Sequence, residues 1–184
     1  FRLSLTERCN LRCTYCMPEE GVPLNPDENL LTKDEYVALT KVFAKNGVTK
    51  IRLTGGEPLL YPQLPELIEE LSAIPGIESI GLTTNALVLK RKLKRLVEAG
   101  LTKINISLDT FLEPKFNLIS RRRGLDRVLG GIDDAAALGL VPKVKVDLRR
   151  GRNEDELLDL LAFTKDREVD VRCIEYMPFG SNRW

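Results

Sequence analysis

The chain has 184 residues, enough for one domain with a substantial core. Its 28 basic and 27 acidic residues nearly cancel, which argues against a general binder of nucleic acid or acidic membrane, and aromatics at 6% are too few for a base-stacking platform. Histidine is absent, so Ser-His and Cys-His nucleophiles and histidine metal ligands are excluded, and no stretch is apolar enough to span a membrane.

Arg2–Leu5 alternates polar and apolar residues and reads as a strand. The cysteines follow at once, Cys9-Asn-Leu-Arg-Cys13-Thr-Tyr-Cys16, spaced C-x3-C-x2-C. Met17–Leu31, with Pro18, Pro23 and Pro26, reads as a long ordered loop. Thr32-Lys-Asp-Glu35 is a capping box that opens a helix over Thr32–Lys45. Strands are then expected at Lys50–Thr54, Ser79–Thr83, Lys103–Leu108, Lys143–Asp147 and Val169–Glu175. Helices alternate with them at Leu64–Ala73, Val88–Ala99, Leu125–Leu138 and Glu154–Phe163, the last with Asn153 as its N-cap. Gly47, Gly100 and Gly139 stand where helix C-caps belong. Six βα-type units less the last helix make a parallel sheet.

Each strand also separates two faces. Arg2, Arg52, Thr83, Asn105, Ser107 and Lys145 fall on one side, and Leu3, Ile51, Leu82, Ile104, Ile106 and Val144 on the other. A sheet covered by helices on both faces, or closed into a full barrel, should be apolar on both. The aliphatic face suits the helices, so the polar face is expected to line the wet, charged lumen of an open, partial barrel.

Three crowded cysteines in such a chain read as metal ligands rather than a disulfide framework. A cubane iron–sulfur cluster normally takes four thiolates. Three leave one iron open to a small molecule. Zinc, which wants four protein ligands, and plain burial of the cysteines are the weaker readings. Cys173, in an apolar run, reads as core packing. Thr54-Gly55-Gly56-Glu57-Pro58 follows the second strand, at the barrel end where active sites form, and its glycines are expected to let a ligand approach the backbone.

With these residues together, the chain resembles the radical S-adenosylmethionine (SAM) superfamily. It is closer still to the GTP 3′,8-cyclases of molybdenum cofactor biosynthesis, the MoaA family. Leu5–Gly21, Ile51–Leu59, Thr83-Thr-Asn85, Asn105–Thr110 and Ile174–Phe179 all look like that family. The resemblance implies an α/β fold, a partial (β/α)6 radical SAM barrel of parallel strands with outer helices, and makes residues 1–184 one radical SAM core domain. It implies that Cys9, Cys13 and Cys16 hold a [4Fe–4S] cluster, and that SAM chelates the open iron in a pocket shaped by Tyr15, Gly56, Ser107 and Met177. Arg2, Arg52, Thr83 and Lys145 would bind GTP. The implied chemistry is reductive cleavage of SAM and hydrogen removal from the GTP ribose C3′, with electrons from an external donor and no catalytic side chain of the protein's own. A homodimer is compatible with the kinship. Bacterial relatives are cytosolic and animal ones mitochondrial, so kinship leaves the compartment undecided.

Three departures set further expectations. The family carries three more cysteines beyond this stretch, holding a second cluster. Without them the 184 residues are expected to bind the first cluster and SAM but to turn over GTP poorly. Ala86 stands where the family has Gly, which costs about 1 kcal/mol or more if that position needs positive φ. Lys143–Asn153 is short, with Asp147 for an expected Asn, which puts the register of Lys145 in question. The alternatives are a radical SAM enzyme acting on another substrate such as a peptide, and a non-catalytic module that binds cluster and SAM.

Overall fold

The computed structural model describes residues 1–177; Pro178 and Phe179 of the last family-like string lie outside them. Six strands, β1 Arg2–Ser4, β2 Lys50–Thr54, β3 Ser79–Thr84, β4 Lys103–Ser107, β5 Lys143–Leu148 and β6 Asp170–Glu175, pair in chain order, all parallel. Each parallel step needs a crossover. Helices α1 Lys33–Lys45, α2 Leu64–Ser72, α3 Leu93–Glu98, α4 Glu113–Ser120, α5 Leu125–Ala137 and α6 Leu157–Phe163 supply them. No helix among the described residues is long and apolar enough to cross a membrane.

The predicted alternation sets the layers. Ile51, Leu53, Ile80, Leu82, Ile104, Ile106, Val144 and Val146 are each 2% exposed or less and pack in one cluster with Leu67, Ile68, Leu71, Leu96, Val128 and Ile132 of the helices. Burying one such side chain is worth about 1.5–3 kcal/mol, so this layer holds the sheet to its helices. The predicted capping box at Thr32 is present, with Glu35 N donating to the Thr32 hydroxyl and Thr32 N to the Glu35 carboxylate. Gly47, Gly100 and Gly139 all take positive φ at helix ends, as their cap positions require.

Four sequence readings are corrected. Helix α4 was not expected: Pro114 in its first turn is a start signal, but its short apolar stripe, Phe116 and Ile119, gave no sustained period. The segment expected as one helix from Val88 breaks into a 3-10 turn, Leu89–Arg91, and α3. Asn153 does not cap by its side chain; its amide donates to the carbonyls of Asp109 (2.7 Å) and Asp147 (3.0 Å) and accepts from Arg149 N (2.8 Å), tying the ends of β4 and β5 together. Cys173 is exposed rather than buried, because β6 is an edge strand and no helix follows it among the described residues.

Ala86 does take a positive φ, 60°. The left-handed region costs a residue with a Cβ about 1–2 kcal/mol. Against that, the methyl is buried (1% exposed) against the Gly131 position, worth about 0.8 kcal/mol, and glycine would add unfolded-state freedom of about 0.4–1 kcal/mol. These terms nearly cancel. Ala86→Gly is therefore expected to move the melting temperature by no more than a few degrees, whereas Ala86→Val, branched at a positive φ, should lower it sharply. Thermal unfolding of both variants checks this; a large gain from glycine would mean that strain outweighs packing here.

Candidate cofactor and anion site

The cysteine loop is built against the turn after β2. Leu5 N donates to Thr54 O (2.9 Å), Gly56 N to Thr6 O (2.6 Å) and Glu57 N to Arg8 O (2.8 Å), so strand-like pairing runs on past β1. A Cβ on Gly55 would sit 2.5 Å from Thr6 O and one on Gly56 2.4 Å from Arg8 O. The glycines are thus required by the close approach of the protein's own chain. Both glycines also line the same cavity as the cysteines, where a ligand's approach is expected from the sequence.

Glu57 is the brace between the two loops. Its carboxylate is 1% exposed and accepts from the Thr84 hydroxyl (2.6 Å), Asn85 N (2.8 Å) and Leu59 N (3.0 Å). Burial pushes its pKa up, and those three donors and nearby Lys92 counter it. The Asn85 side chain in turn donates to Asn10 Oδ1 (2.7 Å) and lies 3.9 Å from Cys9 Sγ. On the other side, α4 offers Ser120 O to Arg12 N and Ile119 O to Thr14 N, both at 2.9 Å. The Arg12 guanidinium closes the loop on Cys9 O at 2.7 Å. Cys16 N and Met17 N both donate to Cys13 O (3.1 and 3.0 Å), a tight turn that brings Cys13 and Cys16 to one side.

All three cysteines line one cavity of about 260 Å³ at the C-terminal ends of the strands, with apolar Leu11, Phe116 and Ile119 among its walls. Among the described residues no three His, Cys, Asp or Glu side chains converge closely enough for a single metal ion. The electrostatics of the thiols bear on what the loop could hold. The hydrogen bond between Cys13 and Cys16 pulls Cys16 down and pushes Cys13 up, and burial raises Cys9. Glu57 adds negative charge beside Cys9, and Asp109 beside Cys13 and Cys16. Three thiolates here need a compensating positive charge, which an iron–sulfur cluster supplies. The donor set fits the group.

Beside this cavity Arg149, 6% exposed, lies 4.4 Å over the Tyr15 ring and 3.8 Å from the carboxylates of Asp109 and Asp147. Burial, with Asp109 alongside, raises the Tyr15 hydroxyl. Sequence reasoning missed Arg149, because Leu148-Arg-Arg-Gly-Arg152 reads as a charged turn in solvent.

The polar faces of the strands form the lumen as expected. Arg2, Arg52, Lys50, Lys103 and Lys143 line a basal cavity with Gly81, and no carboxylate is among its lining residues. The Arg52 guanidinium lies over Gly81, where a Cβ would be only 2.9 Å from it. Arg52 Nη1 and Asn105 Oδ1 are buried with no hydrogen-bond partner among the described residues. Burial, with Arg2 and Arg172 nearby, lowers the pKa of Arg52; burial together with Arg52, Arg2 and Arg172 lowers that of Lys145. Mutual repulsion between β1, β2, β5 and β6 means that the sheet curves enough to bring its edges within electrostatic reach. Arg172 is a second residue that sequence reasoning missed; its period-2 position on β6, register partner of Lys145, was the available signal.

The residues read from the sequence therefore group as follows. Cys9, Cys13, Cys16, Tyr15, Gly56, Ser107 and Thr83 share the cluster cavity. Met177 and Lys145 share an adjoining one with Tyr15 and Ser107. Arg2 and Arg52 stand at the base. The four residues assigned to GTP thus do not meet in one cavity but are strung along the lumen. Lys145 pairs with Ser107 and Arg172 in the sheet and lines the cavity it shares with Ser107.

Fold and site together define an open, partial α/β barrel of parallel strands with a three-cysteine loop at its mouth. The Radical SAM superfamily model matches residues 3–164, and the chain belongs to that superfamily. Among curated relatives, "Molybdenum cofactor biosynthesis protein 1" of Drosophila melanogaster is 55% identical and that of Homo sapiens 54%, over 100% of this chain and 32% and 29% of theirs. "GTP 3′,8-cyclase" of Listeria monocytogenes is 51% identical over 97% of this chain and 54% of its own length. The chain thus spans about a third to a half of these relatives. Among solved structures, Streptococcus suis SuiB bound to S-adenosylmethionine superposes with a TM-score of 0.82 at 18% identity, over 98% of this chain and 41% of that one, a likeness of fold.

Proposed function

We propose that this chain is the cluster-binding and triphosphate-binding core of a GTP 3′,8-cyclase. The observation that carries the reading is the layout of the lumen, with a cationic base at one end, where Arg2, Arg52, Lys50 and Lys103 stand beside a Lys143 paired to Asp170 at 3.3 Å, and the three cysteines at the other. From the Arg52–Gly81 level the register climbs two residues along β3 to Thr83 and two along β4 to Ser107, roughly 13 Å at the usual strand rise. That span suits a nucleoside triphosphate lying along the barrel axis. Arg2 and Arg52 would receive the outer phosphates, and Lys145 with its register partner Arg172, level with Ser107, the inner ones. Thr83 and Ser107 then face the ribose and SAM near the cluster. The printed name of the Listeria monocytogenes relative at 51% identity, GTP 3′,8-cyclase, supports the same substrate.

Cys9, Cys13 and Cys16 would hold the cluster, which when bound supplies the electron that cleaves SAM. The protein's own part is positioning and exclusion. Apolar Leu11, Phe116 and Ile119 keep water from the reacting face, and Tyr15, backed by Arg149, walls the SAM side. The test uses GTP deuterated at C3′ with SAM and a strong reductant: deuterium in the released 5′-deoxyadenosine is expected, and unlabelled 5′-deoxyadenosine from protein that holds GTP would contradict the reading.

Lys145 adds a pH signature. Burial and three neighbouring cations hold its pKa down in the free protein, and a bound polyanion would raise it again. Binding should therefore take up a proton between the free and bound pKa values, and affinity should fall as pH rises through that alkaline window. Calorimetry in buffers of different ionisation enthalpy reads the uptake. Binding with no buffer dependence at alkaline pH would remove Lys145 from the phosphate site.

A further inference from the structure

The cavity shared by the three cysteines is lined by two carboxylates, Glu57 and Asp109, and, among the described residues, by no Lys or Arg. An electron added to a cluster there would meet like charge on both sides. The compensating cations stand one layer back. Arg12 lies beside Cys9 and donates to Cys9 O at 2.7 Å. On the Cys13–Cys16 side the counterpart is Arg149. Its guanidinium lies 3.8 Å from Asp109 Oδ2 and 3.8 Å from Asp147 Oδ2, and it covers the ring of Tyr15, which stands between the two cysteines in the chain. Its field reaches Cys16, which it helps to pull down.

Two departures seen in the sequence, the short Lys143–Asn153 segment and Asp147 for an expected Asn, meet at this group. The chain turns at once after β5, with Arg152 N and Asn153 N both donating to Arg149 O (3.2 and 3.3 Å). The Asn153 amide accepts from Arg149 N at 2.8 Å, while Asp147 N donates to Asp109 Oδ1 at 2.9 Å. The arginine is thereby fixed at the flank of the cysteine loop by the fold itself. Stability alone explains this poorly. Buried ion pairs often stabilise no more than apolar residues of the same size, and these two carboxylate contacts are longer than hydrogen bonds.

We infer that Arg149 is a positioning residue with two effects: it holds Tyr15 against the Cys13–Cys16 side of the loop, and as a buried cation it offsets the carboxylates there and raises the potential at which the cluster is reduced. The inference rests on the cluster reading above. In the step concerned, a one-electron donor is oxidised, the cluster gains that electron, and no bond is made or broken. The reduced cluster carries one more negative charge than the oxidised one. A cation buried nearby therefore favours it, and a carboxylate opposes it. At 6% exposure Arg149 is little screened by solvent. Its charge and its flat, stacking head act separately. Lysine would keep the first and lose the second, because its ammonium is a point charge on a flexible stem. The two carboxylates beside it would keep that lysine protonated.

The experiment is a potentiometric titration of the cluster-loaded protein, followed by electron paramagnetic resonance, in the parent and in Arg149→Met, Arg149→Lys and Asp147→Asn. Arg149→Met should lower the midpoint potential by about 59 mV or more, a tenfold shift in the one-electron reduction equilibrium. Arg149→Lys should keep the midpoint near the parent value while its melting temperature falls, since the charge stays and the stack is lost. Asp147→Asn removes negative charge from the same group and should raise the midpoint. A parent-like midpoint in Arg149→Met, or a drop in Arg149→Lys as large as in Arg149→Met, would overturn the effect on potential. Parent-like melting of Arg149→Lys would overturn the hold on Tyr15. Where Arg149→Met takes up too little iron to titrate, Asp147→Asn decides, and an unchanged or lower midpoint there overturns the effect on potential. A parent that itself takes up no cluster would instead overturn the cluster reading beneath it.

Discussion

Glu57→Ala should destabilise the protein by on the order of 4 kcal/mol and strip it of cluster. The carboxylate satisfies the Thr84 hydroxyl and the backbone N–H groups of Asn85 and Leu59, with Thr84 2% exposed and Leu59 fully buried. Each buried donor left without a partner costs about 1–3 kcal/mol. At about 2–4 °C per kcal/mol for a chain of this size, the melting temperature should drop by roughly 10 °C. The functional loss follows from position, because Asn85 links Glu57 to Asn10 and the Cys9 segment. Glu57→Gln keeps one acceptor and turns a donor towards donors, so it should fall between parent and alanine. Calorimetric unfolding together with iron content per chain reads both effects. An alanine variant within 1 kcal/mol of the parent and fully loaded with iron would show that Glu57 is not the brace described here.

Arg52→Gln should behave in the opposite sense for stability. The guanidinium is desolvated and repelled by Arg2 and Arg172, and its buried Nη1 lacks a partner among the described residues. Removing the charge relieves that repulsion, so the melting temperature should hold or rise. GTP affinity should fall by about tenfold to a hundredfold, the loss of a charge-assisted contact worth about 1.5–3 kcal/mol. Binding of SAM should be unaffected. Gly81→Ala offers an independent check, because its Cβ would push on the same guanidinium from 2.9 Å and weaken GTP without touching any charge. A less stable Arg52→Gln protein that binds GTP normally would make the residue structural. The two residues thus differ in kind: Glu57 is satisfied by the fold, whereas Arg52 is desolvated, repelled by its neighbours and left with an unpartnered buried Nη1 among the described residues.

The sequence made much of this legible because period-2 alternation and local spacing carry most of the information. Leu3, Ile51, Leu82, Ile104 and Val144 could be set against Arg2, Arg52, Thr83, Asn105 and Lys145 from the strands alone, and C-x3-C-x2-C fixes three thiols on one loop by covalent connection. What escaped are contacts between segments distant in the chain. Arg149 reaches Tyr15, 134 positions earlier, by a stacking contact at 4.4 Å that no local pattern encodes. Asn153 looked like a cap and instead crosses to the carbonyls of Asp109 and Asp147. Helix α4 was hidden because eight residues give too short a stripe to show a period, yet its last carbonyls hold the cysteine loop. Gly55 and Gly56 could be singled out from the sequence, but not the close approach of Thr6 and Arg8 to them; both glycines also line the cysteine cavity.

In the proposed site, three cysteines on this loop hold a cluster with one iron left for SAM. Electron paramagnetic resonance on anaerobically reconstituted, dithionite-reduced protein tests it most directly, recorded with and without SAM. A [4Fe–4S]⁺ signal whose shape changes when SAM is added is expected, with loss of that signal in Cys13→Ser. A cluster signal indifferent to SAM, or zinc in place of a cluster, would contradict it.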